Sequence, residues 1–94
     1  MKQPAVLPVL MRDCEVINVK SAMHRTGRSA KTIVRWCHQD GIGRRSEPGA
    51  PWEISAVALE AKRYGDMDAI EALRQGRFEE PRVRRYVEHL GIDV

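Results

Sequence analysis

The chain has 94 residues, 43% apolar and 31% charged, with a formal net charge of +3 at pH 7. This is the length of one domain. Folding it buries roughly 60–65% of the surface that the unfolded chain exposes, enough for one modest core but not for a deep cleft with a separate cofactor domain. The balance of apolar and charged residues excludes a disordered chain, and two cysteines without a CxxC pair exclude a disulfide framework.

The charge is unevenly spread. Residues 1–18 are net 0, residues 19–64 hold nine basic and four acidic side chains for a net +5, and residues 65–94 hold five basic and seven acidic for a net −2. A basic binding half joined to a neutral or acidic packing half follows from that split.

Residues 1–17 read as an arm. Pro4 and Pro8 forbid a regular helix there. Val6, Leu7, Val9 and Leu10 suit an extended segment lying on the core, and a partly ordered tail fits the same residues. The apolar run from Ala5 to Met11 is too short and too interrupted for a signal peptide or a membrane span. The expectation is therefore a cytoplasmic protein.

Asn18 is a good N-cap, and Val19, Ala22 and Met23 then fall on one helical face, with Gly27 as the stop. Ser29 starts a second helix that ends at Gly41. On a helical projection Ala30, Ile33, Val34, Trp36 and Cys37 share an apolar sector, with Trp36 expected in the core. Lys31, Thr32, Arg35, His38 and Gln39 share the other sector. Two short helices joined by Thr26-Gly27-Arg28 match the helix-turn-helix pattern.

After Gly41 the period changes. Ile42–Arg45 and Trp52–Ile54 predict two short strands around a Pro48-Gly49 turn, with Trp52 and Ile54 pinning the hairpin to the helices. Ser55 caps a third helix to Gly65, and Asp66 caps a fourth to Gly76. Pro81 opens a fifth, closed by Gly91 with Ile92 making the following apolar contact. The expected fold is mainly α with a small β-hairpin wing. Its parts are an arm (1–17), a helix-turn-helix with wing (18–64) and a C-terminal helical hairpin packed on the same domain (65–94).

The run from Thr26 to Trp36 resembles the helix-turn-helix of MerR-like and excisionase-type DNA-binding domains, whose pattern reads L-G-V-S-x-x-T-V-x-R-W. Gly27, Ser29, Thr32, Arg35 and Trp36 match it, and Ile33 is a conservative stand-in. Gly41 to Arg45, the turn, Trp52 to Ser55 and Leu59 resemble that family's wing and following helix. The likeness covers about residues 18–64. It implies a winged helix-turn-helix with the second helix in the major groove and the wing on flanking DNA. The recurrence of Arg in the pattern at the place of Arg35 implies a phosphate or positioning role. The turn departs from the pattern at Thr26 and Arg28, where the family is apolar.

The residues expected at DNA are Lys20, Arg25, Arg28, Ser29, Lys31, Thr32, Arg35, His38, Gln39, Arg44 and Arg45. Arginine bridges guanine O6 and N7, glutamine pairs with adenine, and threonine meets a base or a methyl. Lys31, nearest the helix start, is the better base reader. Arg44 and Arg45 in the wing suit a phosphate or a narrow minor groove. Ser29 is a cap that also aims amides at a phosphate. Cys37 and His38 point into different sectors and no zinc-ligand spacing occurs, so neither a metal nor a nucleophile dyad is expected, and no cofactor. Glu79-Glu80 and Asp66/Asp68 sit where acidic residues favour helix starts. The stripe Val83, Tyr86, Val87 and Leu90 fits core packing, or a homodimer or partner surface.

The functional expectation is a nonenzymatic, sequence-specific double-stranded DNA-binding protein, nucleoid-associated. It would be a small transcriptional regulator or an excisionase-like factor, with helix 29–40 in the major groove and wing 42–54 on flanking DNA. The alternative is a phage-type DNA-packaging or recombination adaptor whose C-terminal helices recruit a protein.

Overall fold

The computed structural model describes residues 6–93, so Pro4 of the expected arm and Val94 lie outside it. Among the described residues there are five α-helices: α1 (Val19–Thr26), α2 (Ala30–Asp40), α3 (Ala56–Arg63), α4 (Met67–Arg74) and α5 (Pro81–Leu90). Three short strands accompany them, β1 (Val16–Ile17), β2 (Gly43–Arg44) and β3 (Glu53–Ser55).

The helices start where side chains satisfy their first amides. Asn18 accepts from the Ser21 N–H at 2.8 Å and Ser29 from that of Thr32 at 3.2 Å. Ser55 accepts from the Ala58 N–H at 3.0 Å and Asp66 from that of Ala69 at 3.1 Å. Pro81 opens α5. Gly27, Gly41 and Gly91 end α1, α2 and α5 in the left-handed region. Gly41 is doubly required, because a Cβ there would also run into the Leu7 carbonyl.

The sheet is antiparallel in the order β1-β3-β2. Ile54, fully buried, faces Ile17 on one side and Gly43 on the other. Gly43 has no room for a side chain: a Cβ would lie 2.8 Å from Cys37 Sγ and 3.0 Å from the Glu53 carbonyl oxygen. The hairpin turn closes with the Ala50 N–H on the Glu47 carbonyl at 3.1 Å, Gly49 taking φ 89°. The second strand is narrower than expected. Ile42 is fully buried just before β2, Arg45 lies just beyond it, and Ser55 belongs to β3 as well as capping α3.

β1 was not foreseen, and it comes from the arm. Glu15 is 1% exposed. Its Oε1 accepts from Ser55 Oγ at 2.7 Å and its Oε2 from Arg12 Nε at 3.3 Å. The buried carboxylate therefore ties the arm to the N-cap of α3 and sets β1 beside β3. The Val9 N–H donates to the Gly41 carbonyl at 2.8 Å and the Leu10 N–H to that of Leu73 at 3.2 Å. Val9 and Met11 are buried, while Val6, Leu7 and Leu10 remain exposed. The arm therefore lies on the core in part: of Val6, Leu7, Val9 and Leu10 only Val9 is buried, and Asp13–Glu15 form a 3-10 turn rather than extended chain.

One apolar cluster joins all three parts of the chain. It runs from Val9 through Ala22, Ile33, Ile42 and Ile54 to Leu59, Ile70, Leu73 and Val83. Burying each of the larger side chains stabilises the fold by about 1.5–3 kcal/mol. The α5 stripe turns inward: Val83, Tyr86 and Val87 are buried in this core. No helix of the described residues is long and apolar enough to cross a membrane.

Candidate nucleic-acid interface

The α1–α2 turn is held by a hydroxyl where an apolar residue was the family expectation. Thr26 Oγ1 donates to the Ala22 carbonyl at 2.8 Å and accepts from the Arg28 N–H at 3.1 Å. Ser29 and Thr32 then lock the first turn of α2, with Ser29 Oγ donating to Thr32 Oγ1 at 3.1 Å. Both hydroxyls are engaged in the cap, and Thr32 is half-buried.

α2 buries Ile33, Cys37 and Asp40, one seam at helical spacing. Lys31, Arg35, His38 and Gln39 are all exposed on the other side. The two sectors differ from expectation at three positions. Ala30 is exposed at the helix start, Val34 is only half-buried and lies outside the apolar cluster, and Trp36 is half-buried at the edge of the core. The Arg28 guanidinium lies 5.9 Å from the Trp36 ring and the Lys62 ammonium 5.6 Å from it. Two cations therefore approach the Trp36 ring. Lys62 arrives from α3 and carries no local signal in the sequence.

The far end of α2 is clamped. Lys62 Nζ pairs with Asp40 Oδ2 at 2.9 Å, and Arg74 Nη2 donates to the Asp40 carbonyl at 2.6 Å. The hairpin docks against the same end. The His38 and Trp52 rings meet edge to face with centroids 5.1 Å apart, and the Arg45 guanidinium stacks 4.6 Å from the Trp52 ring. His38 and Arg45 thus converge on one aromatic anchor. Arg44 instead pairs with Glu53 across the hairpin, Nε to Oε1 at 3.1 Å.

One expected residue leaves this cluster. Lys20 and Arg25 lie about 140° apart around α1. Arg25 lines a groove with Leu59, Arg63 and Leu90, against α3 and α5. The structure does not bring it to the α2 face.

The electrostatics separate the two halves further. From Val16 to Gln39 the sequence has no acidic residue and five Lys or Arg. Lys20, Arg25, Arg28, Lys31, Arg35 and Arg45 form no ion pair with a described residue; among the described Lys and Arg, Arg77 and Arg85 are the only others of which this holds. Lys62, Arg63, Arg74, Arg82 and Arg84, in α3 to α5, all have acidic partners.

Cys37 offers no nucleophile. Burial pushes its thiol up to about 12, only partly countered by the Arg45 charge. Among the described residues no group of three or more His, Cys, Asp or Glu is placed to hold a metal ion. No protein-family model, curated protein or solved structure matches the chain.

Proposed function

We propose that the protein binds duplex DNA as a MerR-like winged helix-turn-helix, serving as a small transcriptional regulator or excisionase-like factor and making or breaking no bond. One observation carries the reading: α2 exposes Lys31, Arg35, His38 and Gln39 together in a stretch free of acidic residues. Cations without acidic partners are those available to displace counterions from phosphates.

In this reading α2 enters the major groove with its N-terminus near the backbone. The first amides of α2 and the Arg28 guanidinium meet a phosphate. Lys31 reads a base edge, and Arg35 holds the next phosphate. Arg45, stacked on Trp52, reaches flanking DNA from the hairpin. Arg44 contributes less, because Glu53 already neutralises it.

The adaptor reading loses the apolar surface that α5 offered a partner. The apolar stripe of that helix is spent on the core, and its exposed side carries Arg82, Arg84, Arg85 and Glu88. A recruited partner would meet that charged side.

Selection of bound sequences from a random duplex pool, followed by titration of the winner across a salt series, tests the proposal. A defined motif bound about 10³-fold or more above random duplex is expected. Enrichment of nothing, with all binding lost as salt rises, would overturn it.

A further inference from the structure

Three adjoining grooves cross the edge formed by α1, α3 and α5. The first, about 160 Å³, lies among Arg25, Leu59, Arg63 and Leu90. The second, about 470 Å³, lies among Glu60, Arg63, Tyr64 and His89. The third, about 70 Å³, lies among Tyr64, Arg85, Tyr86 and His89. Shared residues make them one continuous track.

An aromatic ring stands in the middle of that track. Tyr64 is 57% exposed, more than a packing role requires. Its ring is braced by angled contacts with Tyr86 at 5.8 Å and His89 at 6.2 Å. The acidic group on the floor is already satisfied. Glu60 Oε1 accepts from Arg63 Nη1 at 2.9 Å, and Oε2 lies 3.0 Å from His89 Nε2. Arg25 and Arg85, at the two ends, form no ion pair with a described residue. The track therefore carries excess positive charge, with an exposed tyrosine between its cations.

We propose that this groove binds an unpaired nucleotide, its base stacked on Tyr64 and its phosphates along Arg85 and Arg25. Stacking platforms set between cations take single strands because every base offers a π-face, whereas a paired base keeps its faces inside the duplex. The ligand chemistry is a nucleobase with an adjacent phosphate, from a single strand or a free mononucleotide. The site lies on other elements than the exposed side of α2, so it stands whether or not α2 reads duplex DNA.

Anisotropy of a labelled oligothymidylate, with thymidine monophosphate as competitor, tests the site on the full chain. The wild type is expected to bind the oligonucleotide. Tyr64→Ala weakens that binding by about tenfold or more, and Tyr64→Trp preserves it. Arg85→Glu weakens it and flattens its salt dependence, and serves alone if Tyr64→Ala melts early. Neither variant changes affinity for a blunt duplex. Displacement by the monophosphate at comparable concentration assigns a free nucleotide as the source, and its failure assigns a strand. No binding of either probe overturns the proposal. So does oligonucleotide binding that is unchanged in folded Tyr64→Ala or in Arg85→Glu. So too do equal losses for single strand and duplex, which would reduce the groove to a share of the general positive field.

Discussion

Arg74 Nη2 donates to the Asp40 carbonyl at 2.6 Å, joining the last turn of α4 to the last turn of α2. The same guanidinium gives Nε to the Leu7 carbonyl at 2.8 Å and Nη1 to Glu71 Oε2 at 2.7 Å. A cation is favoured at a helix C-terminus, where the carbonyls lack intrahelical partners. One side chain thus fixes the arm and the end of the helix that presents Lys31 and Arg35. The C-terminal helices orient α2 from behind.

Arg74→Ala is expected to destabilise the fold by about 1–3 kcal/mol, since three charge-assisted hydrogen bonds are lost and the part-buried Asp40 carbonyl is left without its donor. It should also weaken duplex binding although the residue lies at the opposite end of α2 from Ser29. Arg74→Lys should recover little, because one ammonium cannot span acceptors set out for a planar fork. Denaturant unfolding beside a duplex titration checks this. An Arg74→Ala protein with unchanged stability and unchanged binding would show that the tie orients nothing.

Asp66 makes stability depend on acid. Burial alone would raise its carboxyl, but the Tyr86 hydroxyl at 2.8 Å, Arg82 at 2.9 Å and the Ala69 amide at 3.1 Å together hold it below the ordinary aspartate value. The unfolded carboxyl takes its proton at a higher pH than the folded one. The stabilisation is therefore full above the unfolded value of about 3.9 and is lost as pH falls through the folded one. Asp66→Asn should be about 2 kcal/mol less stable than wild type at neutral pH, from the lost charge-assisted bonds to Tyr86 and Arg82. The gap should close in strong acid. Melting curves from pH 7 to pH 2 test it, and a gap constant with pH would refute the assignment.

Much of this was legible locally. Asn18, Ser29, Ser55 and Asp66 cap helices because short polar side chains compete for exactly those first amides, and the glycine stops follow from backbone freedom. The exposed side of α2 was legible because a helix repeats every 3.6 residues. What those residues touch was not. Lys62 and Arg74 reach α2 from helices far along the chain, and neither has a periodic signature. β1 was hidden for a similar reason. Two residues are too few to show alternation, and Glu15 reads as a surface residue until Ser55 and Arg12 supply its partners. Arg25 looked equivalent to Lys20 because net charge carries no direction. Only the groove it shares with residues of α3 and α5 sets Arg25 apart.

Ser55 serves two elements at once, so its loss should exceed that of a cap alone. Ser55→Ala leaves Glu15 Oε1 buried without its donor and the Ala58 amide without its acceptor. A destabilisation of about 2–4 kcal/mol is expected. Glu15→Gln keeps an acceptor of the same shape and should be milder. The denaturant midpoint should fall with an unchanged slope. A Ser55→Ala loss below that of an ordinary exposed cap would mean that the Glu15 bond adds nothing.

The two cysteines should separate cleanly by chemistry. Cys14 is exposed and Cys37 is buried, with its thiol pushed up to about 12. At pH 8 iodoacetamide should add one equivalent, at Cys14, and a second only after unfolding. The raised thiol also sets an alkaline limit. Its contribution is full below the unfolded value of about 8.5 and declines as pH rises from there through the folded value. Cys37→Ala should remove that alkaline decline. Rapid alkylation of folded Cys37, read by mass spectrometry, would contradict the packing of β2 against α2.

Arg35→Ala tests the duplex interface most directly, because Arg35 is exposed and forms no ion pair with a described residue. Removing it should leave unfolding within about 0.5 kcal/mol of wild type. A phosphate contact contributes about 0.9 to the slope of log affinity against log salt, so the variant should lose that much and weaken alike on every sequence. Lys31→Ala should behave differently if Lys31 reads a base edge. Its penalty, about 1–3 kcal/mol, should fall on the selected motif and relax preference at one position. Measuring both variants on the selected and a scrambled duplex separates positioning from reading. If their losses are equal on both sequences, α2 supplies charge alone, and sequence preference must come from the hairpin or from the shape of the DNA.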